Sequence, residues 1–162
     1  MGFQHREEHV DEGMIVLQAN IDDMNPELCS YVSDLLFDAG ANDVYWIPII
    51  MKKGRPGVML NVLVDEKLLE AMEAVIFRET TTIGLRYMRA SVHRLGREFE
   101  AVSTPWGEIH VKVGYHRGAM VQFAPEFKEC EQAAKQHGVP LKQVYDEVKR
   151  RFFNNDKQQP LD

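Results

Sequence analysis

Apolar residues recur with two different periods along the chain, and their order predicts the order of strands and helices. Runs rich in β-branched or aromatic residues predict strands, and apolar residues three and four positions apart predict helices with one buried face. The pattern predicts, in order, a strand at 14–20, a helix at 26–39, strands at 44–51 and 58–64, a helix at about 65–77 and a strand at about 83–94. Pro48 inside the second strand indicates an edge position or a bulge.

This element order is typical of the ferredoxin-like split βαβ fold, an α+β architecture with two helices on one face of a four-stranded antiparallel sheet. Alternating residues on both sides of Pro105-Trp106-Gly107 predict an added β-hairpin, and helical patterns begin at Pro125 and Pro140. We therefore predict four segments, which are a flexible leader at 1–13, a ferredoxin-like βαββαβ domain at 14–96, a hairpin with two helices at 97–153 and a polar tail at 154–162.

The composition excludes several classes of function. The 162 residues include 19 Lys or Arg and 25 Asp or Glu, which gives a formal charge of −6. An acidic chain is a poor match for indiscriminate binding to nucleic acid or to an anionic membrane surface. No apolar run approaches the roughly 20 residues that span a bilayer, and no export signal is visible. Cys29 and Cys130 are far apart, so we expect free thiols in a reducing cytoplasm.

A turn with two adjacent carboxylates links the first predicted strand to the first predicted helix. It is the acidic turn, Asn20-Ile21-Asp22-Asp23-Met24-Asn25-Pro26-Glu27. Asn25 is a preferred N-cap residue, and Pro26 suits the first helical position. Asp22 and Asp23 are hard oxygen ligands of the type that Mg²⁺ or Mn²⁺ prefers, or else one of them caps the turn while the other is solvated.

Two further loops carry side chains suited to phosphate. The cationic turn, Lys52-Lys53-Gly54-Arg55-Pro56-Gly57, places three cations on one hairpin tip, which is either a phosphate clamp or a solvated turn. The threonine run, Thr80-Thr81-Thr82, lies between Arg78 and Arg86 and offers hydroxyls and backbone N–H groups to phosphate or sugar oxygens, although β propensity explains part of it. Glu79 is either a metal ligand or the ion-pair partner of Arg78.

The leader contains two histidines, His5 and His9, four residues apart. They would chelate a soft divalent metal only if the segment were helical, and the order H-R-E-E-H differs from the H-E-x-x-H motif of zinc proteases. We therefore expect a solvated linker here.

Five segments of the chain match, in order, the motifs of one known family. They are Asn20–Glu27, Pro48–Gly57 ("PI-MKK-RPG"), Phe77–Arg86 ("FRETTT-G-R"), Thr104–Gly107 ("TP-G") and Pro125-Glu126-Phe127 with Cys130 ("PEY–C"). With these motifs the chain resembles the C-terminal domain of the nickel-pincer cofactor synthase (LarC) family. The resemblance covers about residues 14–153, nearly all of the chain that is predicted to fold.

The resemblance implies a metal-insertion activity of the lyase class. Members of the family insert Ni²⁺, their substrate, into pyridinium bisthiocarboxylate mononucleotide. This step forms the nickel–carbon and nickel–sulfur bonds of the nickel-pincer nucleotide that lactate racemase-type enzymes use. The reaction depends on CTP and on Mn²⁺ or Mg²⁺, and the C-terminal domain is the CTP-binding part.

The resemblance also implies partners. Family members assemble as oligomers, so we expect a homo-oligomer. A full-length member has a much longer N-terminal domain and a His-rich segment, which this sequence lacks. We therefore expect an excised domain or the second product of a split gene, acting with that N-terminal domain in cis or as a separate chain. We do not expect the 162 residues to insert nickel alone.

The resemblance and the loop chemistry together predict ligands for a metal–CTP complex. Its phosphates require cations and hydroxyls, and its metal requires carboxylates. From the strand order we expect the acidic turn at the opposite end of the sheet from the cationic turn, and the threonine run at the same end as the cationic turn. The predicted triphosphate ligands are Lys52, Lys53, Arg55, Thr80, Thr81, Thr82 and Arg86. Glu79 is the predicted metal ligand nearest to these triphosphate ligands. Asp22 and Asp23 would either bind the metal from a neighbouring subunit or belong to a nickel-substrate site.

A second interpretation is a non-catalytic, nucleotide-binding regulatory or oligomerisation module. Ferredoxin-like domains often bind small ligands and oligomerise without performing chemistry, and this argument is one of analogy from the fold. Turnover of CTP distinguishes the two interpretations. A role in binding nucleic acid would require a basic sheet face with aromatic residues, which the charge of −6 disfavours.

Overall fold

The computed structural model describes residues 7–156, and within that range the chain forms seven strands and four α-helices. They are β1 (His9–Ile21), α1 (Leu28–Asp38), β2 (Asp43–Ile50), β3 (Pro56–Asp65), α2 (Leu69–Glu79), β4 (Arg86–Arg94), β5 (Gly96–Thr104), β6 (Gly107–His116), β7 (Ala119–Pro125), α3 (Phe127–His137) and α4 (Leu141–Asp156). The chain divides into two compact units, one formed by Val10–Val92 and the other by the described residues before and after it. No described helix is both long and apolar enough to cross a membrane.

The unit Val10–Val92 contains a four-stranded sheet in the order β2-β3-β1-β4. The central strand β3 pairs antiparallel with both β1 and β2. This is the order of a ferredoxin-like βαββαβ sheet, so the predicted α+β class and sheet are confirmed. β2 is an edge strand, which explains how the sheet tolerates Pro48, because a proline has no N–H to donate to a second neighbour.

The core of this unit lies between one face of the sheet and the two helices. Alternate residues of β1 and β3 point to that face, and the helices contribute residues from one stripe each. The fully buried members include Leu17, Leu36, Leu60, Val62, Met72 and Ile76. Because the strands and helices bury one face only, the connecting turns are left at the two ends of the sheet.

The acidic turn and the cationic turn lie at the same end of the sheet, which corrects the prediction that they lie at opposite ends. Ile21, the last residue of β1, pairs with Val58, and Ile50, the last residue of β2, pairs with Pro56. β1 and β2 run in the same direction because the crossover helix α1 joins them, so both strands end on one side. The chain leaves α2 for β4 at this end as well.

Several boundaries differ from the predicted ones. β4 begins at Arg86 rather than at about 83, and α4 runs to Asp156 although a polar tail was predicted from residue 154. β1 begins at His9 rather than at residue 14, although the side chains of its first five residues are half-buried or exposed. Ladder pairing extends the strand there without a hydrophobic alternation, and Ser91 Oγ donates to Glu12 Oε2 at 2.9 Å. His9 is therefore in a strand and not in a helix, while His5 lies outside the described residues. α1 begins at Leu28 rather than at Pro26, because Pro26 and Glu27 form a turn.

The second unit consists of a three-stranded sheet and two helices. β5, β6 and β7 form an antiparallel sheet in that order, with an irregularity at Gly114/Tyr115. One face packs against α3 and α4, and its fully buried members include Val102, Ile109, Val111, Val113, Cys130, Val144 and Val148. Gly138 ends α3 with a left-handed φ of 62°, a conformation in which glycine carries no side-chain penalty.

Candidate functional site

The acidic turn lies directly against the start of β3, and Gly57 permits this approach. A Cβ atom at Gly57 would lie 2.6 Å from the carbonyl oxygen of Ile21 and 3.3 Å from Cα of Asp22. The side chain of Asn25 shapes the next part of the turn, because its Oδ1 accepts the backbone N–H of Glu27 at 3.1 Å. The two aspartates are thereby held beside the cationic turn.

An ion pair joins the acidic turn to the cationic turn. Arg55 Nη1 donates to Asp22 Oδ2 at 3.3 Å, and the Asp22 side chain is 17% exposed while that of Arg55 is 57% exposed. The cationic turn itself is closed by a hydrogen bond from the Met51 N–H to the Arg55 carbonyl at 2.7 Å. Asp22 therefore contacts a cation of its own chain and does not require a neighbouring subunit for this.

Lys53 occupies a strained backbone conformation at the tip of the cationic turn. Its φ of 63° lies in the left-handed region, and such a conformation costs a residue other than glycine about 1–2 kcal/mol. Both Lys52 and Lys53 are exposed. Within residues 7–156 neither ammonium group has a carboxylate partner, so their charges are available to an anionic ligand.

A hydrogen bond also joins the threonine run to the acidic turn. Thr81 Oγ1 donates to Asp23 Oδ1 at 2.5 Å, across 58 positions in the sequence. The other two hydroxyls serve the local backbone. Thr80 Oγ1 donates to the Ile76 carbonyl at 2.7 Å and so closes the end of α2, and Thr82 Oγ1 donates to the Gly84 carbonyl at 3.0 Å. Thr81 is thus the threonine whose hydroxyl faces the aspartates.

The remaining predicted site residues flank the threonine run. Glu79 is the last residue of α2 and accepts a hydrogen bond from Arg78 Nε at 2.6 Å, which matches the ion-pair alternative. Arg86 is the first residue of β4 and is exposed, with no carboxylate partner in the described part of the chain. Within residues 7–156, no group of three or more His, Cys, Asp or Glu side chains is arranged so that it could hold a metal ion. This includes the three predicted metal ligands, Asp22, Asp23 and Glu79.

The structure therefore brings three loops together at one end of a single sheet. The acidic turn is central, since Asp22 contacts Arg55 of the cationic turn and Asp23 contacts Thr81 of the threonine run. Two carboxylates, unpaired lysines and a hydroxyl are the types of group that bind a metal together with phosphate oxygens. The residue types were visible in the sequence, but the two contacts that connect them were not.

Cys29 lies next to this end of the sheet, in the first turn of α1, and Cys130 lies in the core of the other unit. Burial raises the pKa of both thiols. A thiol with a raised pKa stays protonated at neutral pH, so neither cysteine has the thiolate character of a nucleophile or a strong metal ligand.

Comparisons with known proteins agree with one another. The profile of the family described as nickel insertion protein matches residues 2–145. The pyridinium-3,5-bisthiocarboxylic acid mononucleotide nickel insertion protein of Clostridium kluyveri is 44% identical over 154 residues, which cover 95% of this chain and 38% of that protein. The protein of the same name from Clostridium acetobutylicum is 46% identical over 137 residues, which cover 85% of this chain and 33% of that protein.

Two solved structures share the fold. LarC2, the C-terminal domain of a cyclometallase involved in the synthesis of the NPN cofactor of lactate racemase, has a TM-score of 0.82 and 34% identity, over 90% of this chain and 98% of that one. A protein from Methanopyrus kandleri AV19 has a TM-score of 0.65 and 25% identity, over 87% and 88%. The chain spans 38% and 33% of the length of the two curated relatives named above. On the family profile and these identities, the chain belongs to the nickel insertion protein family.

Proposed function

We propose that this chain is the CTP- and divalent-metal-binding C-terminal part of a nickel insertion protein that completes the nickel-pincer nucleotide cofactor. In this proposal the substrates of the whole protein are Ni²⁺ and pyridinium-3,5-bisthiocarboxylic acid mononucleotide, the compound after which the relatives are named. An N-terminal domain, in cis or as a separate chain, contributes the remainder of the activity. The structural similarity to LarC2, the C-terminal domain of a cyclometallase, supports this assignment.

One observation carries the nucleotide part of the proposal, and it is the meeting of the three loops within one chain. The Asp22–Arg55 and Asp23–Thr81 contacts join the acidic turn to both groups of predicted phosphate ligands. Lys52, Lys53 and Arg86 are exposed around them without carboxylate partners in the described range. The residues present therefore fit a polyphosphate that carries a hard divalent ion.

Each loop has a distinct part in this proposal. Lys52, Lys53 and Arg86 supply positive charge for the triphosphate. Thr81 is the member of the threonine run that would donate to its oxygens, since the hydroxyls of Thr80 and Thr82 already donate to backbone carbonyls. In this proposal Asp22 and Asp23 of the same chain bind the metal, and Glu79, which the sequence had favoured as the nearest metal ligand, is the alternative carboxylate. When bound, Mn²⁺ or Mg²⁺ would neutralise phosphate charge.

The Asp22–Arg55 ion pair has a consequence for how the ligands bind. In the free protein Asp22 neutralises Arg55, so neither residue offers its full charge to a ligand. A metal ion alone would have to displace the guanidinium, and CTP alone would have to draw Arg55 from the carboxylate. A metal–CTP complex satisfies both partners at once, so we expect the metal ion and CTP each to strengthen the binding of the other.

Calorimetry with CTP, in the presence and absence of Mn²⁺, tests the proposal. We expect binding with Mn²⁺ present, at least about tenfold weaker binding without it, and a similar loss in Lys52→Ala, Arg55→Ala and Asp22→Asn. Lys67→Ala and Asp43→Asn are matched controls because both residues are exposed and lie at the opposite end of the same sheet. If CTP does not bind with Mn²⁺, or if the control variants weaken binding equally, the proposed site is wrong.

A turnover assay separates an enzyme part from a passive module. The chain is combined with the N-terminal domain of a family member, Ni²⁺ and the mononucleotide substrate, and consumption of CTP is measured. Consumption supports the enzymatic proposal. Binding of CTP that is never followed by consumption favours the non-catalytic regulatory or oligomerisation module, and light scattering would show whether the chain forms the proposed homo-oligomer.

A further inference from the structure

A cavity of about 400 Å³ lies in the second unit, between the tip of the β5–β6 hairpin and α4. Its volume is within the range of about 300–1,000 Å³ that is typical of small-molecule sites. The lining combines an indole ring and a proline ring with two cations and two carboxylates, and includes Trp106, Pro140, Lys142, Asp146, Glu147 and Arg150. None of these residues belongs to the three loops assigned to the nucleotide.

The indole ring of Trp106 is carried by a turn that hydrogen bonds hold closed. Thr104 Oγ1 accepts the backbone N–H of Trp106 at 3.1 Å and donates to the carbonyl of Gly107 at 2.7 Å. Gly107 has a φ of 109°, which glycine adopts without a side-chain penalty. The Trp106 side chain is partly buried and packs against the core of the unit, so the ring is a fixed apolar surface beside the cavity.

Arg151 fastens α4 to the strand that leads into this turn. Its Nη1 donates to the carbonyl of Ser103 at 3.1 Å, and its Nε donates to Glu147 Oε1 at 2.5 Å. Arg150 donates to both oxygens of the same carboxylate, at 2.9 and 2.7 Å. Two arginines therefore neutralise Glu147, and Arg151 joins the two elements that enclose the cavity.

Two other residues of the lining, Lys142 and Asp146, keep their full charges. They lie one turn apart on α4, and neither forms an ion pair with any residue between 7 and 156. The two cations and two carboxylates of the lining give no net charge. The cavity therefore offers an unpaired positive and an unpaired negative charge beside an indole ring, a combination that suits a ligand carrying both charges.

We propose that this cavity binds a pyridinium mononucleotide. A pyridinium ring is planar and permanently positive, and the face of a tryptophan is the best aromatic partner for a cation. Asp146 complements the charge of the ring, while Lys142 and the remaining N–H groups of Arg150 complement the phosphate. The ligand would be the pyridinium mononucleotide after which the relatives are named, and this identification rests on the proposed function.

Titration of the complete chain with nicotinamide mononucleotide tests the proposal, because this compound carries a pyridinium ring and a ribose phosphate. A Trp46→Phe background leaves Trp106 as the only tryptophan. We expect saturable quenching of Trp106 fluorescence, together with a charge-transfer absorption band from the contact of the indole and pyridinium rings. A purely structural role of Trp106 would produce neither signal.

Variants of α4 locate the probe within the unit. Lys142→Ala and Asp146→Asn should each weaken its binding about three- to fivefold, which is the effect of one charge pair near the surface. Lys149→Ala is the matched control for Lys142→Ala, because Lys149 is an exposed lysine of the same helix that does not line the cavity. Equal affinities of these two lysine variants would overturn the proposal.

Related ligands separate the contributions of the ring and of the phosphate. Nicotinamide riboside lacks the phosphate and reduced nicotinamide mononucleotide lacks the ring charge, so both should bind more weakly than the probe. The pyridinium mononucleotide substrate should displace the probe, whereas cytidine monophosphate should not. Absence of quenching, displacement by cytidine monophosphate or failure of the substrate to displace the probe would contradict the proposal. CTP binding is measured separately by calorimetry, so failure of the nucleotide site and failure of this cavity are distinguishable.

Discussion

Replacing Gly57 with alanine tests whether the close approach of β3 to the acidic turn organises this end of the sheet. The added Cβ would lie 2.6 Å from the backbone oxygen of Ile21, 3.0 Å from Sδ of Met51 and 3.3 Å from Cα of Asp22. The Met51 side chain can rotate away, but the two backbone atoms belong to Ile21, the paired last residue of β1, and to Asp22, which follows it. The contact with the Ile21 oxygen must therefore lengthen by about 0.8 Å, from 2.6 to 3.4 Å, before it becomes an ordinary contact.

Separation of packed strands has a measurable cost. Overpacking of this kind destabilises by about 1–3 kcal/mol, and each kcal/mol lowers the melting temperature of an 80-residue unit by about 4–8 °C. Since Asp22 and Arg55 lie on the two sides of the contact, we also expect weaker binding of CTP with Mn²⁺. Gly13→Ala is the matched control, because a Cβ there has no atom within 4 Å and its backbone is not left-handed.

Fluorescence of Trp46 reports this unit directly. Trp46 lies in β2 and donates to Ser33 Oγ at 2.9 Å, whereas Trp106 lies in the other unit and is replaced by Phe in every variant compared. Urea unfolding followed through Trp46 should show a lower midpoint for Gly57→Ala and an unchanged or slightly higher one for Gly13→Ala. A Gly57→Ala variant as stable as the Gly13→Ala variant would mean that the approach of the two strands is not a constraint on the fold.

Two further predictions concern single side chains. Thr81→Val keeps the shape of the residue but removes the hydroxyl that donates to Asp23. Urea unfolding should show a decrease of about 1 kcal/mol or less in the free energy of unfolding, and calorimetry should show weaker CTP binding. Thr81→Ser should restore both, whereas a Thr81→Val variant with unchanged stability and unchanged CTP binding contradicts the assignment. Hydrogen bonds from Arg150 and then Arg151 lower the pKa of Glu147 from 4.5 to about 2. The ionised carboxylate therefore stabilises the fold above about pH 4.5, and this stability is lost as the pH falls toward 2, so the melting temperature of Glu147→Gln should depend less on pH over that window. An NMR titration midpoint near 4.5 for Glu147 in the wild type would refute the interaction.

The direction of each strand was available from the sequence, although the predicted placement of the acidic turn was wrong. A helix that joins two strands of one sheet returns the chain, so β1 and β2 run in parallel and both end beside the β2–β3 turn. The residues Ile21 and Ile50 then fall at one end, as their partners Val58 and Pro56 show. No information was missing, and the same rule correctly placed the threonine run beside the cationic turn.

Other features had no signal in the sequence. Residues 9–13 form part of β1, yet they lack the alternation of apolar and polar residues that predicts a strand, because backbone pairing and not burial holds them. The sequence likewise showed the residue types of Asp23 and Thr81 but not the hydrogen bond between them. Contacts across 58 positions depend on where two turns end, and element boundaries shift by one or two residues without any change in the pattern.

The hydrogen bonds that join Glu8 to His93 and His116 show why local patterns cannot predict contacts between distant parts of the chain. Glu8 is separated from His93 by 85 positions and from His116 by 108, and each histidine taken alone has the sequence surroundings of an exposed strand residue. The pair that the pattern did offer, His5 and His9, depended on a helix, whereas His9 lies in β1. Only the fold brings His93, near the end of β4, and His116, at the end of β6, to the same carboxylate oxygen. A search for closely spaced histidines would therefore not have found these hydrogen bonds, because the three residues are close to one another only in the folded chain.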